Sequence, residues 1–521
     1  MKYELGDDNV VVIIGSGAGG GTLGHELAVK GVRVVCLEAG QRLDHFADFA
    51  NDEVSMFAKL SWLDRRSATG NWNMAGSPIP SWTCKSVGGT SIHWAGTALR
   101  IREHEFKALD TYGKIDGANL ANWPITLAEL APYYDKAESK LGVTGTHGIP
   151  DLPPNNNYLV FEAGAKKVGY KSVSNSRMAI NSQARDGRGA CLQLGFCFAG
   201  CKMGAKWSTL YSEIPKAEAT GNFEIRPQST VLKIEHDAQG KATGVVYADK
   251  DGKQHFQKAR VVALAANSIE SARLLLSSSS ALFPNGLANS SGAVGRNYMR
   301  HVFGFVYAWF DKPVNIHRGT TCAGNIDDEN GHDPKRGFAA GYHLQTIAQH
   351  PVGMARAIAA SRGWGIPVSR GMDKYDHMAG LLILGEDLPR ENNRITLHST
   401  EKDAYGIPIP NVHYDDHPNN VAMRNHAYAQ GEKMYRALGS TDVMRAPPPP
   451  ATHNLGANRM SAKARDGVVN GWGQSHDIKN LFIADGSQFP TSSAENPTLT
   501  SVALAIRQAE SIAAQMNLRA I

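Results

Sequence analysis

The sequence lacks several features that would place it in a special class of protein. No stretch approaches 18 consecutive apolar residues, and the apolar run around Leu381–Leu384 is far too short to cross a membrane. The first residues, MKYELGDDNVVVIIG, lack the basic segment, apolar segment and small-residue cleavage site of a signal peptide. No run of five or six basic residues occurs, and 54 Lys and Arg against 49 Asp and Glu leave a net charge of only +5. We therefore expect neither a membrane span nor a nucleic-acid-binding surface.

Cysteine is scarce in this chain, whereas glycine is abundant. The chain has six cysteines, and three of them are too close together in sequence for a disulfide framework. With 521 residues, 42% of them hydrophobic and 20% charged, the chain is long enough for a large core and two to four domains. Its 53 glycines exceed the ordinary share and predict many tight turns or close backbone approaches. Intrinsic disorder, a coiled coil and a disulfide-rich mini-protein are excluded.

The stretch from Val10 to Gly40 predicts a dinucleotide-binding β–α–β unit. Five apolar residues, Val10–Ile14, form a buried strand, and the sequence GSGAGG follows at positions 15–20. An amphipathic helix then extends to about Lys30, and a second strand at Val32–Leu37 leads to an acidic residue. A strand, a G-x-G-x-x-G turn, a helix and an acid about 20 residues further on are together typical of dinucleotide binding.

Three glycines of this turn and the acidic residue Glu38 have different roles in nucleotide binding. Gly15 permits the sharp turn, Gly17 lets the backbone approach a pyrophosphate, and Gly20 allows the helix to pack closely on the strand. The helix N-terminus offers N–H groups and a positive dipole end to the phosphates. Glu38 can accept hydrogen bonds from both ribose hydroxyls.

Two later segments favour FAD over NAD. Phe223–His236, Ala242–Tyr247 and Val261–Ala265 predict a strand, a hairpin and a final buried strand, and a helix then extends through Leu276. Near the C-terminus, Asn480–Asp485 predicts a short buried strand. A loop over residues 486–496 and a long helix at residues 497–516 follow it. The nucleotide domain is therefore expected to be discontinuous, with the last helix aimed at the pyrimidine edge of a flavin.

These stretches resemble the glucose–methanol–choline (GMC) oxidoreductases. The matching segments are Val11–Gly40, Val87–Ala95, Val261–Leu276, Val294–His301 and His453–Thr500, in the family's order along nearly the whole chain. Within the family, the sequence is most similar to the flavoprotein subunits of bacterial membrane-linked gluconate, fructose and glucose dehydrogenases. The resemblance implies an α/β fold: a discontinuous Rossmann-like FAD-binding domain and an α+β substrate domain built on an antiparallel sheet.

Oxidation of an alcohol by a flavin needs a base for the hydroxyl proton, and histidine is the natural candidate. The resemblance maps the family's catalytic histidine onto His453, which follows a proline-rich loop at Pro447–Pro450. It maps the partner of that histidine onto Asn496. An amide cannot act as a base, but it can hold the substrate oxygen and order a developing alkoxide.

The resemblance also identifies a flavin loop at residues 88–94, with the sequence GGTSIHW. In some relatives a histidine in this loop is covalently linked to the flavin. His93 either carries such a link or packs beside a flavin that is bound without one. We expect the second arrangement. The further cofactor contacts that the resemblance implies are Gly88, Gly89, Thr90, Trp94, Val231, Ala266, Asp485, Asn496, Pro497 and Thr498.

The spacing C-x5-C-x3-C at Cys191, Cys197 and Cys201 is the most discriminating feature of the chain. Three thiolates on one tight loop suit Fe–S, zinc or copper(I), although structural zinc usually takes four ligands. The flavoprotein subunits that this sequence resembles carry a [3Fe–4S] cluster at a similar loop. The resemblance therefore implies that these three cysteines bind such a cluster. The alternative is three structural thiols. We expect Cys36, Cys84 and Cys322 to be inert thiols of the core.

An oxidase passes electrons from flavin to dioxygen and needs no iron, whereas a dehydrogenase must release electrons singly to an acceptor. The sequence therefore predicts a dehydrogenase of a sugar, glycoside or sugar acid that depends on FAD and a [3Fe–4S] cluster. The alternative is a GMC oxidase of a sugar or glycoside. The resemblance implies a small partner subunit and a cytochrome acceptor, and we expect a location on the periplasmic membrane face through that partner, or otherwise in the cytoplasm.

The expected domain boundaries follow from these assignments. We expect the FAD-binding domain at 1–100 and 211–300, a cap with the cysteine loop at 101–210, a substrate domain at 301–445, and the His453/Asn496 segment with the last part of the FAD-binding domain at 446–521.

Overall fold

The computed structural model describes residues 1–60, 66–71 and 81–521. The strands are β1 (Val11–Ile14), β2 (Val34–Leu37), β3 (Ser67–Gly70), β4 (Val173–Asn175), β5 (Phe223–Arg226), β6 (Thr230–His236), β7 (Ala242–Ala248), β8 (Gln254–Lys258), β9 (Val261–Leu264), β10 (Val302–Trp309), β11 (Gly324–Ile326), β12 (Tyr342–Thr346), β13 (Met378–Gly385), β14 (Arg394–Lys402), β15 (Pro408–Tyr414), β16 (Asp442–Ala446) and β17 (Leu481–Ile483). The helices are α1 (Ala18–Val29), α2 (His45–Asp48), α3 (Glu53–Leu60), α4 (Glu103–Phe106), α5 (Ala108–Tyr112), α6 (Leu127–Leu141), α7 (Asn156–Val168), α8 (Glu213–Ala219), α9 (Asn267–Ser277), α10 (Pro351–Arg362), α11 (Ile366–Met372), α12 (Pro418–Ala437) and α13 (Thr498–Asn517).

A parallel sheet with the strand order β17-β9-β1-β2-β5 forms the nucleotide side of the molecule. The sequences of β1, β2 and β9 are VVII, VVCL and VVAL, and every residue in them is buried. Such continuously apolar strands are expected in a sheet covered by helices on both faces. Because its strands come from the beginning, middle and end of the chain, this sheet is discontinuous in sequence, as the sequence predicted.

The segment from Phe223 to His236 contributes to two sheets. Pro227 cannot donate a backbone hydrogen bond, and β5 ends at the residue before it. The following strand, β6, joins β7 and β8 in a separate antiparallel sheet.

A six-stranded antiparallel sheet with the order β16-β10-β13-β12-β11-β4 forms the other side of the molecule. Along β10, alternate side chains point to opposite faces. Val302, Val306 and Ala308 join a core cluster with residues of α7 and α12. Phe303 and Tyr307 pack with residues of α10 on the opposite face. This is the antiparallel sheet predicted for the substrate domain at 301–445, except that its edge strand β4 comes from the segment assigned to the cap.

Two smaller features complete the fold. A third sheet has the order β14-β15-β3. Helix α13 packs on α1 and begins at Thr498, one residue later than predicted, because Pro497 lies at its N-cap. Within residues 1–60, 66–71 and 81–521, no helix combines the length and the hydropathy that crossing a bilayer requires.

Candidate active site

One cavity of about 1080 Å³ connects the parallel sheet with the antiparallel sheet. At one end it is lined by Gly15, Gly17 and other residues between β1 and α1. At the other end it is lined by aromatic and apolar side chains of β10 and β13, together with His453 and Asn496. The predicted catalytic residues and most of the predicted nucleotide-binding residues therefore line a single continuous space.

Close backbone packing explains two of the glycines at the nucleotide end. A Cβ at Gly20 would lie 2.0 Å from the carbonyl oxygen of Gly15, so only glycine lets α1 approach the turn. A Cβ at Gly89, where φ is +50°, would lie 2.9 Å from the Cα of Gly17. The absence of side chains here keeps a narrow space open beside the N-terminus of α1, where an anion is favoured. Gly20 itself does not line the cavity.

Glu38 lies at the end of β2 and lines the same cavity. Its Oε2 accepts hydrogen bonds from the backbone N–H and the hydroxyl of Ser16, at 3.0 and 2.7 Å, and its Oε1 accepts one from the N–H of Gly40 at 2.9 Å. Burial raises the pKa of this carboxyl group, and these hydrogen bonds oppose that effect. A carboxylate has about four acceptor positions, so it can also accept from a ribose.

The predicted flavin loop forms a 3-10 turn at Gly89–Ile92, and Thr90, His93 and Trp94 line the cavity. Gly88, which does not line the cavity, anchors the loop because its N–H donates to the Ser16 hydroxyl at 3.1 Å. The ring of His93 is buried and stacks on Trp82 with 4.6 Å between centroids, and its Nε2 has no hydrogen-bond partner among the described residues. An orphaned buried nitrogen at this wall fits a bound ring that supplies a contact.

The remaining predicted cofactor residues also lie at the cavity. Val231 on β6, Ala266 before α9, and Asp485 after β17 all line it. Asp485 is held by the Ser271 hydroxyl, which donates to Oδ2 at 2.5 Å, and by the Ser487 N–H, which donates to Oδ1 at 2.9 Å. Pro497 and Thr498 bring the N-terminus of the 20-residue helix α13 to the same wall.

His453 follows the four prolines and lines the cavity with them. Its Nδ1 lies 2.7 Å from Nδ1 of His301, and the two rings are nearly perpendicular at 86°. Its Nε2 has no hydrogen-bond partner among the described residues, so this atom can bind a ligand. Burial, together with the nearby His301 and His343, lowers the pKa of His453 well below 6.5. The imidazole is therefore neutral and able to accept a proton at pH 7.

Asn496 is 8% exposed and lies immediately before α13. Its Oδ1 accepts a hydrogen bond from Nε2 of Gln345 at 2.8 Å. With its oxygen engaged, the NH₂ group of Asn496 remains to donate to a ligand in the cavity.

Two residues of this site were missed in the sequence. His301 belongs to the matching segment Val294–His301, but nothing in that segment assigned it a function. Gln345 reaches the site because β12 pairs with β13 in the antiparallel sheet. No local motif encodes that pairing.

The three clustered cysteines are free and half-buried beside the cavity. Phe196, Phe198 and Ala199 of the same loop line the cavity wall. Burial, together with charge on Cys197 or Cys201, raises the pKa of Cys191 to about 12.

Backbone N–H groups are directed at two of these sulfurs. The N–H of Gln193 donates to Sγ of Cys191 at 3.4 Å, and the N–H of Lys206 donates to Sγ of Cys201 at 3.4 Å. Amide groups that donate to sulfur are one way in which a protein tunes an iron–sulfur cluster.

A tighter group of potential metal ligands occurs elsewhere, at Asp135, Glu138 and His147. Arg100 donates to both carboxylates at 2.6 Å and already offsets part of their charge. In the part of the chain that the structure describes, the three clustered cysteine sulfurs do not all lie within 4.8 Å of one another. Ligand atoms within 4.8 Å of one another suit a single metal ion. A cluster of several iron atoms holds its thiolates further apart.

Comparisons with known proteins are consistent with this geometry. The sequence profiles of the GMC oxidoreductase family match residues 11–303 and 389–505. The chain is 31% identical to the fructose dehydrogenase large subunit of Gluconobacter japonicus, with 96% of this chain and 97% of that protein covered. It is 30% identical to paromamine 6'-oxidase of Streptomyces fradiae, with coverage of 98% and 92%. The crystal structure of pyridoxine 4-oxidase from Mesorbium loti is similar with a TM-score of 0.67, at 18% identity and with coverage of 97% and 99%.

Proposed function

We propose, because the chain belongs to the GMC oxidoreductase family, that it is an FAD-dependent dehydrogenase that oxidises a hydroxyl of a sugar, glycoside or sugar acid. One observation carries the proposal: His453 Nε2 and the Asn496 NH₂ group are available in the same cavity that extends to the glycine turn. A relative that is named as a fructose dehydrogenase subunit supports the substrate class.

FAD is implied by the GMC family, and the residues present fit it. The space beside Gly17 and Gly89 suits a pyrophosphate, Glu38 suits a ribose, and His93 and Trp94 of the flavin loop line the cavity. When bound, FAD supplies the acceptor for the hydride that leaves the substrate carbon.

The chain's own residues would handle the proton and the oxygen. His453 takes the hydroxyl proton at Nε2, because its lowered pKa keeps it neutral at the start of the reaction. Asn496 donates an N–H to the same oxygen and orders the charge that develops there. The apolar side chains of Phe303, Phe305 and Leu382 line the same end of the cavity and exclude water from the reacting groups.

Cys191, Cys197 and Cys201 would hold the proposed [3Fe–4S] cluster. Three thiols on one loop, two of them accepting backbone N–H donors, suit such a cluster. When bound, the cluster would supply single-electron transfer to an external acceptor. A small partner subunit belongs to the same proposal, and a relative named as a large subunit supports it. We propose with it a cytochrome acceptor and a place at the periplasmic membrane face.

A sugar or glycoside oxidase with structural cysteines is the second candidate, because a relative is named as an oxidase. Iron and acid-labile sulfide assays on the purified flavin-replete protein distinguish the two candidates. We expect about three iron atoms for each flavin and fast reduction of an artificial dye without oxygen. A protein full of flavin but free of iron would overturn the dehydrogenase proposal and favour the oxidase. Screening sugars, glycosides and aldonic acids then identifies the substrate.

A further inference from the structure

His301 contacts the proposed base, but it lies outside the cavity lining. It is 1% exposed and immediately precedes β10. Its backbone has φ = +63°, a left-handed conformation that few non-glycine residues adopt. Its two ring nitrogens make two different contacts: Nδ1 with Nδ1 of His453 at 2.7 Å, and Nε2 with the carbonyl oxygen of Ser492 at 3.1 Å.

The chemistry of the Ser492 contact fixes the direction of the whole chain of hydrogen bonds. A carbonyl oxygen can only accept, so Nε2 of His301 carries the hydrogen and donates it. In a neutral imidazole the other nitrogen is then bare, and Nδ1 of His301 is an acceptor. The hydrogen between the two Nδ1 atoms therefore belongs to His453.

On these grounds we infer that His301 is a positioning residue that holds His453 in the tautomer with a bare Nε2. This inference rests on the proposed function, in which that same Nε2 takes the hydroxyl proton. The other tautomer of His453 would present an N–H to the substrate hydroxyl and could not take its proton.

The surroundings of His301 keep it neutral, as this arrangement requires. Burial and the nearby His343 together lower its pKa to about 4, although the hydrogen bond to the Ser492 backbone opposes them. Nε2 of His343 donates a hydrogen bond to the carbonyl oxygen of Ala494. The backbone of the loop before Asn496 thus anchors both histidines behind the base.

The test compares two variants that both suit a left-handed backbone. His301→Gly removes the imidazole, and His301→Asn keeps a short side chain with one acceptor and one donor. Limiting rates of flavin reduction and apparent substrate dissociation constants are measured in anaerobic stopped-flow experiments with a sugar from the substrate screen. Flavin content and melting temperature are recorded for each holoprotein.

We expect His301→Gly to lower the limiting rate about 10²-fold with little change in the dissociation constant, because the tautomer and not binding is affected. His301→Asn should recover the rate to within about tenfold of the unchanged protein. Equal rates for the two variants, an unchanged rate in His301→Gly, or a loss confined to the dissociation constant would overturn the inference. If no alcohol reduces the flavin of the unchanged protein, the proposed function is wrong and the role of His301 is lost with it.

Discussion

Nε2 of Gln345 donates a hydrogen bond of 2.8 Å to Oδ1 of Asn496, and so determines which end of the Asn496 amide a substrate meets. Gln345 is fully buried on β12, so its position is set by the antiparallel sheet and not by a surface loop. The nucleotide side of the molecule supplies Asn496, and the sheet on the other side orients it.

We expect Gln345→Met, which keeps the length of the side chain but removes the donor, to raise KM about tenfold and to lower kcat less. Without the donor, the Asn496 amide can turn and present its oxygen to the substrate hydroxyl. Gln257→Met is the matched control, because Gln257 is fully buried on β8 of another sheet and does not line the cavity. Steady-state kinetics should show no KM change in Gln257→Met, and equal changes in both variants would contradict this role for Gln345.

The pH dependence of kcat/KM should report the lowered pKa of His453. A base is active when deprotonated, so the rate falls as the pH drops through its pKa. Because burial and the neighbouring His301 and His343 depress that pKa well below 6.5, the acid limb should lie below pH 6.5. A profile of dye reduction from pH 4.5 to 8 tests this expectation, and an acid limb at or above pH 6.5 would refute it.

Two buried carboxyl groups with raised pKa values, Glu386 and Glu105, make a contribution to stability that falls as the pH rises. Burial raises the pKa of Glu386 to about 8 and that of Glu105 to about 7, in each case with a neighbouring carboxylate adding to the shift. Their contribution is fully present below the unfolded pKa near 4.5 and is lost as the pH rises through about 7 to 8. This contribution should therefore decrease between pH 5 and pH 8, whereas the lowered pKa values of the buried His453 and His301 act in the opposite sense below pH 6.5.

Glu386→Gln checks this linkage, because the amide keeps the shape but cannot ionise. The melting temperature of the variant minus that of the unchanged protein should be larger at pH 8 than at pH 5. Tyr112, which donates to Oε2 of Glu386 at 2.7 Å, can donate to the amide oxygen as well. The exposed Glu391 is the control, since Glu391→Gln should leave the pH slope as it is. Parallel slopes for all three proteins would show that Glu386 ionises freely in the folded chain.

Lys206 connects the flavin loop to the cysteine loop. It is 1% exposed, and its Nζ donates to the carbonyl oxygens of Ile92, Trp94 and Cys197. Lys206→Met should lower the melting temperature, since each carbonyl left unpaired costs about 1–3 kcal/mol. It should also loosen the cysteine loop and reduce the iron retained for each flavin. Lys202→Met, four residues earlier and partly exposed, is the control and should retain its iron. Equal iron contents would contradict the bridging role.

The sequence predicts the nucleotide side well because its signals are local. The buried strand, the glycine turn and the acid of the first β–α–β unit lie within 31 residues, Val10 to Gly40, and the structure has them in that order. Likewise, the start of helix α6 at Leu127 follows from a local signal, the capping box of Thr126 and Glu129.

What the sequence does not reveal depends on long-range pairing. His301 meets His453 across 152 residues, and Gln345 meets Asn496 across 151 residues. No periodicity or spacing encodes such contacts, because they arise only when the two sheets pack. The edge strand β4 joins the antiparallel sheet for the same reason.

The most direct test of the account is the rate of flavin reduction in His453→Ala. The holoprotein is mixed without oxygen with a sugar that reduces the unchanged enzyme, and the flavin absorbance is followed by stopped flow. Loss of the general base should lower the limiting rate about 10²–10⁴-fold while the flavin content is retained. A His453→Ala protein that bleaches its flavin as fast as the unchanged enzyme would contradict the account.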